Sequence, residues 1–208
     1  MRNAIIVLLL VFLWTGISEG ESRYIPSDPI RLNDVREVKY LILVEEADVN
    51  AANEKGYFPL CEAAGCASEE MISLLLSFGA YIEGKGDTGK TPLIEAAGSN
   101  NAKAIELLIN SGANIEARDN VQMTPLMHAA WHDAYEAANI LLEYGANINA
   151  VDMGGYTALM WTAQANCPKV AALLLRRGAD RGIRDSLGKT AVRIATEQGN
   201  AEILKLFK

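Results

Sequence analysis

Gly89-Lys90-Thr91-Pro92-Leu93-Ile94-Glu95-Ala96-Ala97 and Gln122-Met123-Thr124-Pro125-Leu126-Met127-His128-Ala129-Ala130 are two statements of one phrase, 33 residues apart. The same register starts at Gly56, Gly89, Gln122, Gly155 and Gly188, with no insertion or deletion between them. Thr157-Ala158-Leu159 and Thr190-Ala191-Val192 carry the Thr-Pro-Leu step in looser form, and Gly112-Ala113-Asn114-Ile115 returns as Gly145-Ala146-Asn147-Ile148. A fixed period of this length marks a stack of supersecondary units, each burying its apolar face against its neighbours.

One unit, residues 89–121, contains the whole logic. Thr91 suits an N-cap, and Pro92 suits the first helical position, where its missing N–H is no loss. Leu93, Ala96 and Ala97 then give a short helix with small residues for close contact. Asn100 ends it, in a column that reads Ala67, Asn100, Asp133, Asn166 and Gly199, mostly residues that tolerate a left-handed backbone. Ala104, Ile105, Leu107 and Leu108 mark a second helix, stopped by Gly112 as Gly79, Gly145 and Gly178 stop theirs. Ala113 to Val121 has no long apolar run and reads as a projecting turn or hairpin, fastened through the column Asp119, Asp152 and Asp185. Phe58 stands where the other units have Thr, which deprives its helix of a side-chain cap.

The Thr-Pro-Leu helix, the turn, the second helix and the Gly-Ala-Asn-Ile segment resemble the ankyrin repeat family over roughly residues 34–208. The resemblance implies an all-α solenoid of helix-turn-helix units with β-hairpin or turn tips, about six units including caps, starting near residues 23, 56, 89, 122, 155 and 188. Residues 34–208 form the repeat domain, and residues 21–33, with Pro26 and Pro29, are expected as an irregular lead. Members of the family generally grip partner proteins with the tips and the concave surface of the first helices.

Residues 1–20 lie outside the array. Arg2, an unbroken apolar run from Ala4 to Trp14, and Ser18 and Gly20 at −3 and −1 of a cut make a cleavable signal peptide. Eleven apolar residues are short for a bilayer span. The expected location is the periplasm or the secreted fraction. The formal charge is −7 with or without residues 1–20. That balance disfavours nucleic acid and, after signal cleavage, an anionic membrane surface. The three cysteines leave one unpaired. Cys61 and Cys66 sit too far apart on a helix for easy bridging and read as small buried hydrophobes, with a disulfide as the competing reading in an exported chain.

The columns that face a partner in such a stack hold Tyr57, Met123, His128, Trp131, His132, Tyr156 and Trp161. Trp and Tyr anchor interfaces by burying large areas at low entropic cost, although rings here also have the option of packing between adjacent first helices. Glu62 and Glu95 recur at the repeat spacing as a mildly acidic groove face. His128 and His132, four apart, share a helix face as zinc ligands do, but no third ligand and no general base accompany them. The expectation is a monomeric, non-enzymatic module that binds another protein as a scaffold, stabiliser, inhibitor or immunity-type plug, with no cofactor, no metal and no catalytic set. Two readings compete: a metal-binding or enzymatic protein built on His128 and His132, and a membrane-anchored structural component.

Overall fold

The computed structural model describes residues 23–53, 56–66 and 68–208. The signal peptide expected over residues 1–20 lies outside the described residues. Twelve helices among the described residues form six successive pairs: α1 (Ser27–Arg31) with α2 (Val35–Leu43), α3 (Pro59–Cys66) with α4 (Glu69–Ser77), α5 (Pro92–Gly98) with α6 (Ala102–Asn110), α7 (Pro125–Trp131) with α8 (Tyr135–Glu143), α9 (Ala158–Ala165) with α10 (Pro168–Arg176), and α11 (Ala191–Glu197) with α12 (Ala201–Leu206). First helices pack on first helices, and second helices on second helices. The lead expected to be irregular contains α1, which is short but anchored by the buried Ile30.

The repeated letters explain the elements. Thr91, Thr124, Thr157 and Thr190 each accept the backbone N–H three residues on, at Ile94, Met127, Met160 and Arg193. Asn100, Asp133, Asn166 and Gly199 adopt φ between 52° and 71° and end the first helices. Three residues of this type also reach into the next unit. Asn33 Oδ1 accepts from Ser68 N at 3.1 Å, Asn100 Oδ1 from Ala137 N at 2.9 Å, and Asp133 Oδ1 from Val170 N at 3.0 Å. Between the rows lies one continuous core: Ala63, Ala64, Ala96, Ala97, Ala129 and Ala130 are fully buried, beside Leu75, Leu108, Leu141 and Leu174.

The tips are turns. Among the described residues the only β pairing is an isolated bridge between Tyr24 and Asp48. Asp119 Oδ1 accepts from Val121 N and Met123 N at 3.0 and 2.9 Å, Asp152 Oδ1 from Gly154 N and Tyr156 N at 2.8 and 2.9 Å, and Asp185 Oδ1 from Leu187 N and Lys189 N at 2.9 and 2.7 Å. Neighbouring tips are stitched together as well. Asn50 Oδ1, Glu83 Oε1, Glu116 Oε1 and Asn149 Oδ1 accept from the backbone N–H of Tyr81, Asn114, Asn147 and Asp180, one unit further along.

The second oxygen of each tip aspartate points back to the first helix. His128 Nε2 lies 2.9 Å from Asp119 Oδ2, which makes the Nε2–H tautomer the donor, and Trp161 Nε1 donates to Asp152 Oδ2 at 3.0 Å. The last unit has Ile194 in that column, and Asp185 Oδ2 is buried with no hydrogen-bond partner among the described residues.

Burial holds the His128 imidazole below its ordinary pKa of 6.5, outweighing the bond to Asp119. The folded chain therefore binds fewer protons than the unfolded one, and stability from this group is complete above pH 6.5 and lost as pH falls below it. Partial burial moves His132 the same way. The thermal midpoint should thus fall between about pH 7.5 and pH 5.5. His128→Phe should cost about 1–3 kcal/mol at neutral pH by orphaning Asp119 Oδ2, and should shallow the acid slope. Melting curves across that range check both.

Candidate partner-binding surface

The seven positions expected to meet a partner lie on or beside the first helices and the tips, and the structure divides them. Met123 and His128 are corrections: they are 8 % and 6 % exposed and belong to the interior. Met123 closes the tip through its N–H to Asp119 and sends its side chain into the core, while His128 is turned inward by its bond to the same aspartate. The sequence columns are right for both, but a buried carboxylate at the tip pulls its donor in.

Trp131, Tyr156 and Trp161 come together. Trp131, at the end of α7, is 40 % exposed and meets Trp161 edge to face, with centroids 4.9 Å apart and planes at 82°. Tyr156 lies 4.9 Å from Trp161 at a 42° tilt. Trp161, half-buried on α9, is the platform of the trio, held in place by Asp152. Burial, followed by the Asp185 carboxylate, raises the Tyr156 hydroxyl above its ordinary pKa, so it remains a neutral donor at physiological pH. His132 is exposed next to Trp131, with its ring over the backbone of Gly98. Tyr57 is exposed too, but it lines a separate cleft with Arg31, Glu62 and Glu95.

The structure adds an apolar row at the tips that the column reading passed over. Val121, Met153 and Leu187 project from three successive turns, the last two 71 % and 74 % exposed. Backbone bonds from Met153 N to Val121 O and from Ser186 N to Gly154 O bind these turns into one edge. A signal was present: an apolar residue inside a four-residue turn that opens on Asp and closes on a left-handed Gln or Gly has no interior to enter.

The two histidines do not converge on a shared site, since His128 Nε2 is spent on Asp119. Among the described residues no three of His, Cys, Asp or Glu gather in an arrangement that could hold a metal. Burial pushes the Cys61 and Cys167 thiols up to about 12 and about 11, which keeps them protonated and unreactive, and all three cysteines are free.

Among known proteins, the family model described as three copies of the ankyrin repeat matches residues 30–119 and 85–152, and the single ankyrin repeat model matches residues 154–186. No curated protein matches the chain. Ankyrin repeats are typically non-enzymatic modules for binding other proteins. The matched segments span most of the residues between the first helix pair and the fifth tip, and the protein belongs to the ankyrin repeat family.

Proposed function

We propose that this protein is an exported, monomeric interaction module of the periplasm or the secreted fraction, which binds one partner protein through its first-helix face and the adjoining tips. The observation that carries this reading is the aromatic trio. Trp131 stays 40 % exposed although a neighbouring ring is available to cover it. Rigid, amphipathic rings on a fixed platform bury area on binding at little entropic cost. The apolar row at Val121, Met153 and Leu187 extends the contact along the tips. The formal charge of −7 favours fast encounter with a basic partner and disfavours nucleic acid.

Export is supported by the sequence of residues 1–20, and no helix among the described residues is long and apolar enough to cross a membrane. The role of the complex is either to stabilise an envelope enzyme or to block a toxin's active site. Both act by occupancy, without chemistry.

Three outcomes are expected. N-terminal sequencing of the exported protein should read from Glu21; a retained Met1 would instead support a membrane-anchored structural component. The wild-type protein should capture a defined partner from the envelope fraction at physiological salt. Trp131→Ala should lose that capture while the chain still unfolds cooperatively, its thermal midpoint lowered only by the loss of the ring's buried face and of an edge-to-face contact worth about 0.5–1.5 kcal/mol beyond that burial. Addition of the purified module to the captured partner then separates the roles, since a stabiliser extends the partner's activity and an inhibitor abolishes it.

A further inference from the structure

The first-helix face changes character along its length. In the third full unit the position after the alanine pair is Trp131; in the first two it is Gly65 and Gly98. Beside Gly65, which has no side chain to fill the space, a cleft of about 430 Å³ opens between α3 and α5, lined by Arg31, Tyr57, Glu62, Cys66 and Glu95 among others.

Glu62 is the unusual residue of this cleft. Its side chain is only 5 % exposed, and its Oε1 takes a single hydrogen bond from Arg31 Nε at 2.7 Å. Its Oε2 is buried and accepts nothing among the described residues. A buried carboxylate oxygen without a donor is costly, and a guanidinium can present two parallel N–H groups to both oxygens of a carboxylate. Arg31 approaches by one nitrogen only, while half of its own side chain stays in solvent. Glu95, one unit further along, adds a second, partly buried carboxyl, with Lys90 no closer than 4.0 Å. Burial raises the Glu95 pKa above its ordinary value, the mark of a carboxyl short of stabilising donors. The cleft thus holds two acids, one incompletely seated cation and room for another side chain.

We propose that this cleft receives an arginine side chain of the partner protein, whose guanidinium displaces Arg31 from Glu62, opens the oxygen now buried to a second N–H, and pairs with Glu95. The proposal rests on the reading of the chain as a protein-binding module and names the chemistry of one end of its partner. A basic residue enters at α3 and α5, and apolar residues lie along Trp131 and the tips.

Cys66 supplies the readout, being exposed at the cleft while Cys61 and Cys167 are buried. The probes are N-acetyl-arginine N-methylamide and its uncharged citrulline isostere, tested for slowing the reaction of Cys66 with methyl methanethiosulfonate on the full exported chain at constant ionic strength. The arginine probe should slow labelling saturably and the citrulline probe should not. Glu95→Gln should raise the half-protecting concentration about fivefold or more, and Arg31→Gln, which removes the competing cation, should lower it. Equal protection by both probes, no protection at all, or an unchanged concentration in Glu95→Gln would overturn the proposal; so would weaker protection in Arg31→Gln. Because the probe replaces the partner, failure here alongside Trp131-dependent capture removes the arginine site alone, whereas absent capture removes the binding reading itself.

Discussion

No unit of this chain can hide its own apolar surface, and everything else in the structure follows from that. A two-helix hairpin buries its face only when another hairpin lies against it, so stability resides in the contacts between units. The alanine pairs set the approach distance. Ala63, Ala64, Ala96, Ala97, Ala129 and Ala130 are sealed between neighbouring first helices, where each added methylene would force the row apart at about 1–3 kcal/mol. The strict 33-residue period has the same origin. An extra residue inside a helix would turn its apolar face by about 100° away from its neighbour. The first unit departs from the period without breaking this rule: α2 starts 34 residues before α4, and the additional residue falls beyond the end of α2, ahead of Glu46 in its left-handed conformation.

In the third and fourth full units, an aspartate ties tip to helix. One oxygen of Asp119 or Asp152 closes the turn, and the other takes an N–H from the first helix, so tip and helix move together. The donor differs from unit to unit. His128 makes the connection sensitive to protonation, Trp161 makes it part of an aromatic platform, and Ile194 leaves it open at Asp185. The same structural bond that steadies Trp161 gives Trp131 and Tyr156 a fixed ring to lean on, which links the packing of the repeat to the surface it presents.

The first-helix face therefore has two halves. Near α3 and α5, Gly65 leaves a cleft with half-satisfied acids; near α7 and α9, Trp131 fills that column and packs on Trp161. On the proposed reading, a partner matching both carries basic and apolar groups in a set order along one segment. Such a surface is selective through the spacing of its parts, since neither half discriminates strongly by itself.

How much was legible before the coordinates divides cleanly. Threonine caps, left-handed asparagines, stop glycines and paired alanines each impose a local conformation through short-range sterics or a hydrogen bond within a few residues, so the period written in them determined the repeat architecture and its register. The tip aspartates were legible for the same reason. The direction of a side chain in the partner columns was not, because it depends on what lies opposite. Met123 and His128 turn inward because Asp119 and the core claim them, while Trp131, one helical turn further, finds only an edge of Trp161 and stays in solvent. Likewise Glu62 and Glu95 read as a repeated acidic column, and only the packing of α1 onto α3 decided that Arg31 reaches one oxygen of Glu62 and leaves the other buried without a donor. Local chemistry specified the stack; contacts between units, distant in sequence, specified which side chains its exposed face presents.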